Sequence, residues 1–161
     1  MNEPNNQKKK KRSRALELAL FYLSRKSRAQ KEIELKLERK GFAKKEISSV
    51  VGQLKDWNFL NDLEFAKGFV RQAKLGKPKG VRRIRFELVQ KGVGKELIER
   101  ALEEEKFRED ESGLIESALK SYSAKIRHLP RAKQYNRTIA YLLRRGFSYE
   151  EAKKAVGKFL N

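Results

Sequence analysis

One short pattern, written three times, constrains this chain more than anything else in it. The pattern is Leu-x-x-[Lys/Arg]-Gly-[Phe/Val], at Leu37…Lys40-Gly41-Phe42, Leu88…Lys91-Gly92-Val93 and Leu142…Arg145-Gly146-Phe147. The segments that carry it align without gaps from Ile33, Ile84 and Thr138, at offsets of 51 and 54 residues. A glycine just past a helix end can take the left-handed backbone conformation that other residues avoid. Each Leu then falls where a Schellman cap brings the Phe or Val back into apolar contact, and each Lys or Arg meets the negative end of the helix dipole. The pattern is therefore a helix stop, with Gly41, Gly92 and Gly146 as its structural caps.

A stop repeated at near-constant spacing implies a repeated unit. After each stop comes an i, i+3, i+4 apolar stripe: Ile47, Val50, Val51 and Leu54; Ile98, Ala101 and Leu102; Ala152, Ala155, Val156 and Phe159. Before each stop helix lies one more helix, over Ala15 to Leu23, Leu63 to about Ala73, and Leu114 to about Ile126. Ser27-x-x-Gln30 and Ser148-x-x-Glu151 read as capping boxes, Asn61-Asp62 as an N-cap, and Pro130 as a helix-start proline. No stretch sustains the alternation of a strand. The expectation is an all-α chain of three tandem three-helix repeats in an elongated, curved arrangement.

Charge sets the boundaries. The 161 residues carry 40 Lys and Arg against 21 Asp and Glu, a net charge of +19. Residues 1–13, with the run Lys8 to Arg12, read as a disordered basic arm. Repeat 1 is expected over 14–61, repeat 2 over 62–102 and repeat 3 over 113–161. Residues 103–112 reverse sign and read as an acidic linker. With no cysteine, thiolate metal and disulfide chemistry are excluded, and a single His128 excludes multi-histidine metal sites. The longest apolar run, Leu18 to Leu23, is far too short for a membrane span, and no signal segment is visible. The default is a cytoplasmic protein with no membrane partner.

No catalytic constellation survives inspection. The segment from Gly76 to Gly80 is too short for a phosphate-binding loop and lacks its Ser or Thr. It reads instead as a flexible basic loop. The carboxylates from Glu103 to Glu111 lack the spacing and turn glycine of a calcium loop. Trp57 and Phe59 read as packing residues. The chain is expected to be no enzyme and to need no cofactor.

What remains is positive charge without local acids. One such stretch holds Arg71, Lys74, Lys77, Lys79, Arg82, Arg83 and Arg85. The other holds Lys120, Lys125, Arg127, Arg131, Lys133, Arg137, Arg144 and Arg145. Ordinary helix surfaces intersperse Glu with Lys for i, i+4 pairing, so such stretches point to an external polyanion. The candidate partner- and DNA-binding residues are the seven of the first stretch with Arg131, Lys133, Arg137, Arg144 and Arg145 of the second.

Several of these segments resemble the bacterial RecX regulatory proteins. Leu23-Ser24-Arg25-x-Ser27 with Glu32-Ile33…Leu37…Lys40-Gly41-Phe42 is similar to that family's first repeat. Phe59-Leu60-Asn61-Asp62-x-x-Phe65-Ala66 is similar to the entry of its second, and Gly80-x-x-Arg83-Ile84-x-x-Glu87-Leu88-x-x-Lys91-Gly92-Val93 to that repeat's signature. Tyr141-Leu142-x-Arg144-Arg145-Gly146-Phe147 is a looser match to the third. The resemblance covers about residues 13–159. It implies a cofactor-free modulator, usually an inhibitor, of the RecA recombinase filament on single-stranded DNA; separately, the chain is expected to be a monomer, with double-stranded DNA as a further partner. The Lys8–Arg12 run is not part of the family pattern. Composition alone leaves two rivals: a sequence-nonspecific DNA-binding protein that acts without RecA, and a helical scaffold for an acidic protein.

Overall fold

A computed structural model describes residues 4–160, with side chains over 14–159. Among these residues every regular element is an α-helix: α1 (Pro4–Arg25), α2 (Gln30–Arg39), α3 (Lys44–Asp56), α4 (Asp62–Ala73), α5 (Val81–Gln90), α6 (Lys95–Glu104), α7 (Phe107–Ile126), α8 (Arg131–Arg145) and α9 (Tyr149–Leu160). The repeat places α1–α3, α4–α6 and α7–α9 in three successive triplets, and the stop helices are α2, α5 and α8. No helix among the described residues is long and apolar enough to cross a membrane. The backbone of α1 begins at Pro4, within the segment read as an arm. The side chains of residues 1–13, Lys8 to Arg12 included, lie outside the described residues.

The helix stops form as their spacing dictates. Gly41, Gly92 and Gly146 have φ of +83°, +82° and +92°. The Phe42 amide donates to the Leu37 carbonyl at 3.3 Å and the Gly41 amide to Glu38 at 2.9 Å. The Phe147 and Gly146 amides donate to Leu142 and Leu143 at 3.2 and 3.0 Å in the same way. These are the two crossed bonds of a Schellman cap.

The helix starts agree in part. Asn61 Oδ1 accepts the Leu63 and Glu64 amides, each at 3.1 Å. Ser148 and Glu151 exchange reciprocal bonds, the Ser148 amide to Glu151 at 2.9 Å and the Glu151 amide to Ser148 Oγ at 3.2 Å. The expected box at Ser27 does not form. The N-cap of α2 is Ala29, and Glu32 reaches back to its amide at 3.2 Å. The acidic linker is also corrected. Only Glu105 and Lys106 separate α6 from α7, and residues 107–112 are helical. Glu109 and Asp110 occupy the first turn of α7, where the dipole favours negative charge, so this acidity opens a helix rather than breaking one.

The chain divides into two compact units, residues 1–65 with 91–93, and residues 66–90 with 94–161. In the first, α1 and α2 pack on each other and on α3. Ala15, Ala19, Ile33, Leu37, Ile47, Val50, Val51, Leu54 and Leu60 form its buried core. The Gly92 turn joins this unit because an ion pair from Lys91 to Glu32, 3.1 Å, holds it to α2. In the second unit α7 packs on α6, α8 and α9, α8 on α9, and α5 on α6. Phe107, Phe147, Ile84, Leu88, Ile98, Leu119, Leu142 and Val156 are sealed from solvent there. Each such side chain contributes about 1.5–3 kcal/mol over its exposed state.

Candidate functional site

The structure divides the twelve candidate cations sharply. Five of the seven in the first stretch already have acids, supplied from elsewhere in the same unit. Arg71 pairs with Glu105 at 2.5 Å, and Lys74 with Asp110 at 2.6 Å. Lys74 also donates to the Glu105 carbonyl at 2.8 Å. Lys79 and Arg83 share Glu87 at 2.5 and 2.6 Å. Arg85 grips Glu99 with two hydrogen bonds of 2.6 Å. The acids of Arg71, Lys74 and Arg85 lie 14 to 36 residues further along the chain, whereas Glu87, shared by Lys79 and Arg83, lies only eight and four residues beyond them.

The electrostatics follow these pairs. The hydrogen bond from Arg85 holds the Glu99 carboxyl below its usual range, and the same bond raises the Arg85 guanidinium. Burial by itself would lift Glu87, but the Lys79 and Arg83 hydrogen bonds bring it below 4.5. These cations are paired within the unit, and such partly exposed pairs add little to stability.

Arg145 is also structural. Its Nε donates to the Pro78 carbonyl at 2.8 Å, and its Nη2 donates to the Lys77 carbonyl. The Gly80 amide donates to the Arg145 carbonyl at 2.9 Å, and the Arg82 amide to the Gly146 carbonyl at 3.2 Å. The loop from Gly76 to Gly80, expected to be flexible, is thus fastened to the end of α8. Pro78 and Gly80 are buried in it. A Cβ on Gly80 would lie 2.4 Å from Gly146 C and O, and one on Gly146 would lie 2.4 Å from the Arg83 amide nitrogen. Two glycine backbones meet there because neither has a side chain to keep the other away.

Lys77, Arg82, Arg131, Lys133, Arg137 and Arg144 remain exposed and without an ion pair among the described residues. Three of them align. At 3.6 residues per turn, Lys133, Arg137 and Arg144 lie within about 40° of one another around α8 and span about 16 Å along it. Arg131 and Arg82 stand apart from this stripe. Tyr141, between Arg137 and Arg144 in the helix, stacks on Tyr122 of α7 with ring centroids 4.1 Å apart and planes at 1°. This stacked pair was not anticipated. Its only sequence signal is that Tyr141 sits four residues after one arginine and three before another. Trp57 and Phe59 were expected to be packed, yet they are 52% and 58% exposed and meet edge to face. Asn58 between them, at φ +57°, turns both outward at the end of α3.

Taken together, these features define an all-helical tandem-repeat protein whose second unit carries, among its exposed cations, a row of three on α8 beside stacked aromatic rings. The chain belongs to the RecX family. Matching family models are the first three-helix domain of RecX over residues 15–54, the second over 61–102 and the third over 109–156. Regulatory protein RecX of Prosthecochloris aestuarii is 31% identical over 152 residues, covering 91% of this chain and 94% of that protein. Its counterpart in Streptococcus gordonii is 35% identical over 138 residues, covering 86% of this chain but 52% of that one, so the chain spans about half the length of the streptococcal relative. The crystal structure of RecX from Lactobacillus salivarius superposes with a TM-score of 0.75 at 26% identity, over 91% of this chain and 95% of that one. A second RecX crystal structure, at 24% identity and a TM-score of 0.78, shares the fold.

Proposed function

We propose that this chain binds RecA filaments assembled on single-stranded DNA and restrains recombinase and ATPase activity, as a cytoplasmic monomer with no catalysis of its own. The observation that carries the reading is the Lys133–Arg137–Arg144 stripe beside the Tyr122–Tyr141 stack, in a chain of the RecX family whose relatives are named regulatory proteins. Cations in a row with an adjacent aromatic face are the combination that single strands are held by: phosphates on the cations, bases near the rings. The test is RecA-catalysed ATP hydrolysis on single-stranded DNA with this protein added below one copy per RecA. The expected result is a falling rate. A rate that does not change at any ratio would end the proposal.

The same stripe supports a second reading, a sequence-nonspecific DNA-binding protein that needs no RecA. Salt separates the two. Binding through three phosphates of a single strand gives a slope of about −2 in log affinity against log salt. If restraint of RecA follows that slope step for step, DNA competition alone accounts for it.

A further inference from the structure

The internal joints of this repeat protein follow one rule. The start of one stop helix sits on the stop glycine of the next repeat, and an acid from that next repeat accepts its first amide. Lys31, at the start of α2, approaches Gly92 so closely that a Cβ there would lie 2.4 Å from Lys31 Cβ. The first amide of α2, Gln30, donates to Asp62 of α4 at 2.8 Å. Arg83, at the start of α5, approaches Gly146 to the same distance, and the first amide of α5, Val81, donates to Glu111 of α7 at 3.3 Å. The residues that precede these helices, Ala29 and Gly80, are small and buried.

The first repeat carries the same glycine with nothing on it. Among the described residues no atom lies within 4 Å of a Cβ built on Gly41. A groove of about 580 Å³ opens beside it, lined by Leu18, Phe21 and Phe42 with Arg14, Glu17 and Lys40. Phe21 is 51% exposed. At the internal joints the cation before the stop glycine is engaged, Lys91 with Glu32 and Arg145 with the Pro78 carbonyl. Glu17 is already engaged with another part of the chain. Arg14 and Lys40, with Arg39, Lys44 and Lys45 flanking the turn, are exposed and carry no ion pair among the described residues.

We infer that the Gly41 groove is a docking site for the first turn of a helix on a partner protein, and that this turn is acidic. Shape and charge argue for it separately. Gly92 and Gly146 show that a stop glycine of this repeat accepts a helix start. Lys40 stands in its repeat where Lys91 stands in the next, and Lys91 pairs with Glu32 in the first turn of α2 at 3.1 Å, so the incoming group that Lys40 and the neighbouring Arg14 match is a carboxylate. Acidic side chains are also the ones a helix favours in its first turn. On a second copy the start of α8, Pro130-Arg131-Ala132-Lys133, is basic, and at the acidic start of α9 Glu151 is already held by Ser148, so a partner protein is the occupant proposed and self-association is measured against it. The Lys8–Arg12 segment of the chain itself is basic too. The inference is independent of the recombinase reading, since it names a chemistry rather than a particular protein.

The test is titration of the full isotope-labelled chain, followed by backbone amide resonances. The probe is a short alanine-based helical peptide with a Ser N-cap and Glu residues in its first turn. The control carries the same Glu residues in its last turn. The expected result is a saturable shift of the Gly41 and Phe42 amides with the first peptide, and at least about tenfold weaker binding of the control, a difference of ~1.4 kcal/mol. Arg14→Gln with Lys40→Gln should abolish the response and leave the melting curve in place, since both side chains are exposed. Equal response to both peptides, or shifts confined to other helices, would refute the site. Concentration-dependent self-association that the double variant removes would make a second copy the occupant, and would refute it as well.

Discussion

At the scale of single residues, the three stop glycines share a conformation but not a surrounding, and substitution should separate the two. Gly41→Ala meets only the backbone penalty of the left-handed region, about 1 kcal/mol. Gly92→Ala and Gly146→Ala meet that penalty and a collision at 2.4 Å as well. Overpacking of this kind adds about 1–3 kcal/mol. Thermal unfolding should rank Gly41→Ala as the mildest of the three. Equal losses at all three positions would show that the joints yield without cost. Glu111 gives a second expectation. Burial lifts its carboxyl above 4.5, the Glu151 charge adds to the rise, and the Val81 amide opposes it. A raised folded value means that this group favours the fold at low pH and costs stability as pH climbs through that value. Glu111→Gln keeps an acceptor for Val81 and removes the charge. It should therefore melt higher than the parent at pH 7, with the gain vanishing near pH 4. A gain that is independent of pH would assign it to packing.

At the scale of elements, nearly every helix was legible in the sequence, because each stop is marked by a glycine and each face by an apolar stripe. The starts were less legible. Ser27 looks like a cap and is passed over for Ala29, since α2 begins where Gln30 can donate to Asp62, a partner 32 residues away. The binding surface was legible only in part. Arg83 and Arg85 of α5 are paired with Glu87 and Glu99 while Arg82 is not, and a sequence shows charges without showing which acid folds beside them. α8 differs because, among the described residues, no acid pairs with Lys133, Arg137 or Arg144. Replacing these three together by Gln should leave the helix content unchanged and weaken single-stranded DNA binding. The salt slope should flatten by about 2, at 0.7 per phosphate lost. Arg85→Gln is the contrasting variant: it strands Glu99, so its cost should fall on stability while the slope stays the same. An unaltered slope in the triple variant would move the DNA contact off α8.

At the scale of the whole chain, the surplus of +19 overstates what is available to a partner, because much of the positive charge near the loop from Gly76 to Gly80 is answered internally. The two compact units also cut across the repeats, with Gly92 grouped with the helix that rests on it rather than with its own sequence neighbours. Periodicity reveals units of sequence. It does not reveal that a turn belongs, by contact, to the unit before it. The bond from the Gly80 amide to the Arg145 carbonyl makes this measurable. Its proton is shielded only while the start of α5 rests on the end of α8, so its exchange with deuterium oxide reports the opening of that one joint. Compared with amides deep in α5 or α8, its rate would tell whether neighbouring repeats come apart before either of them unfolds.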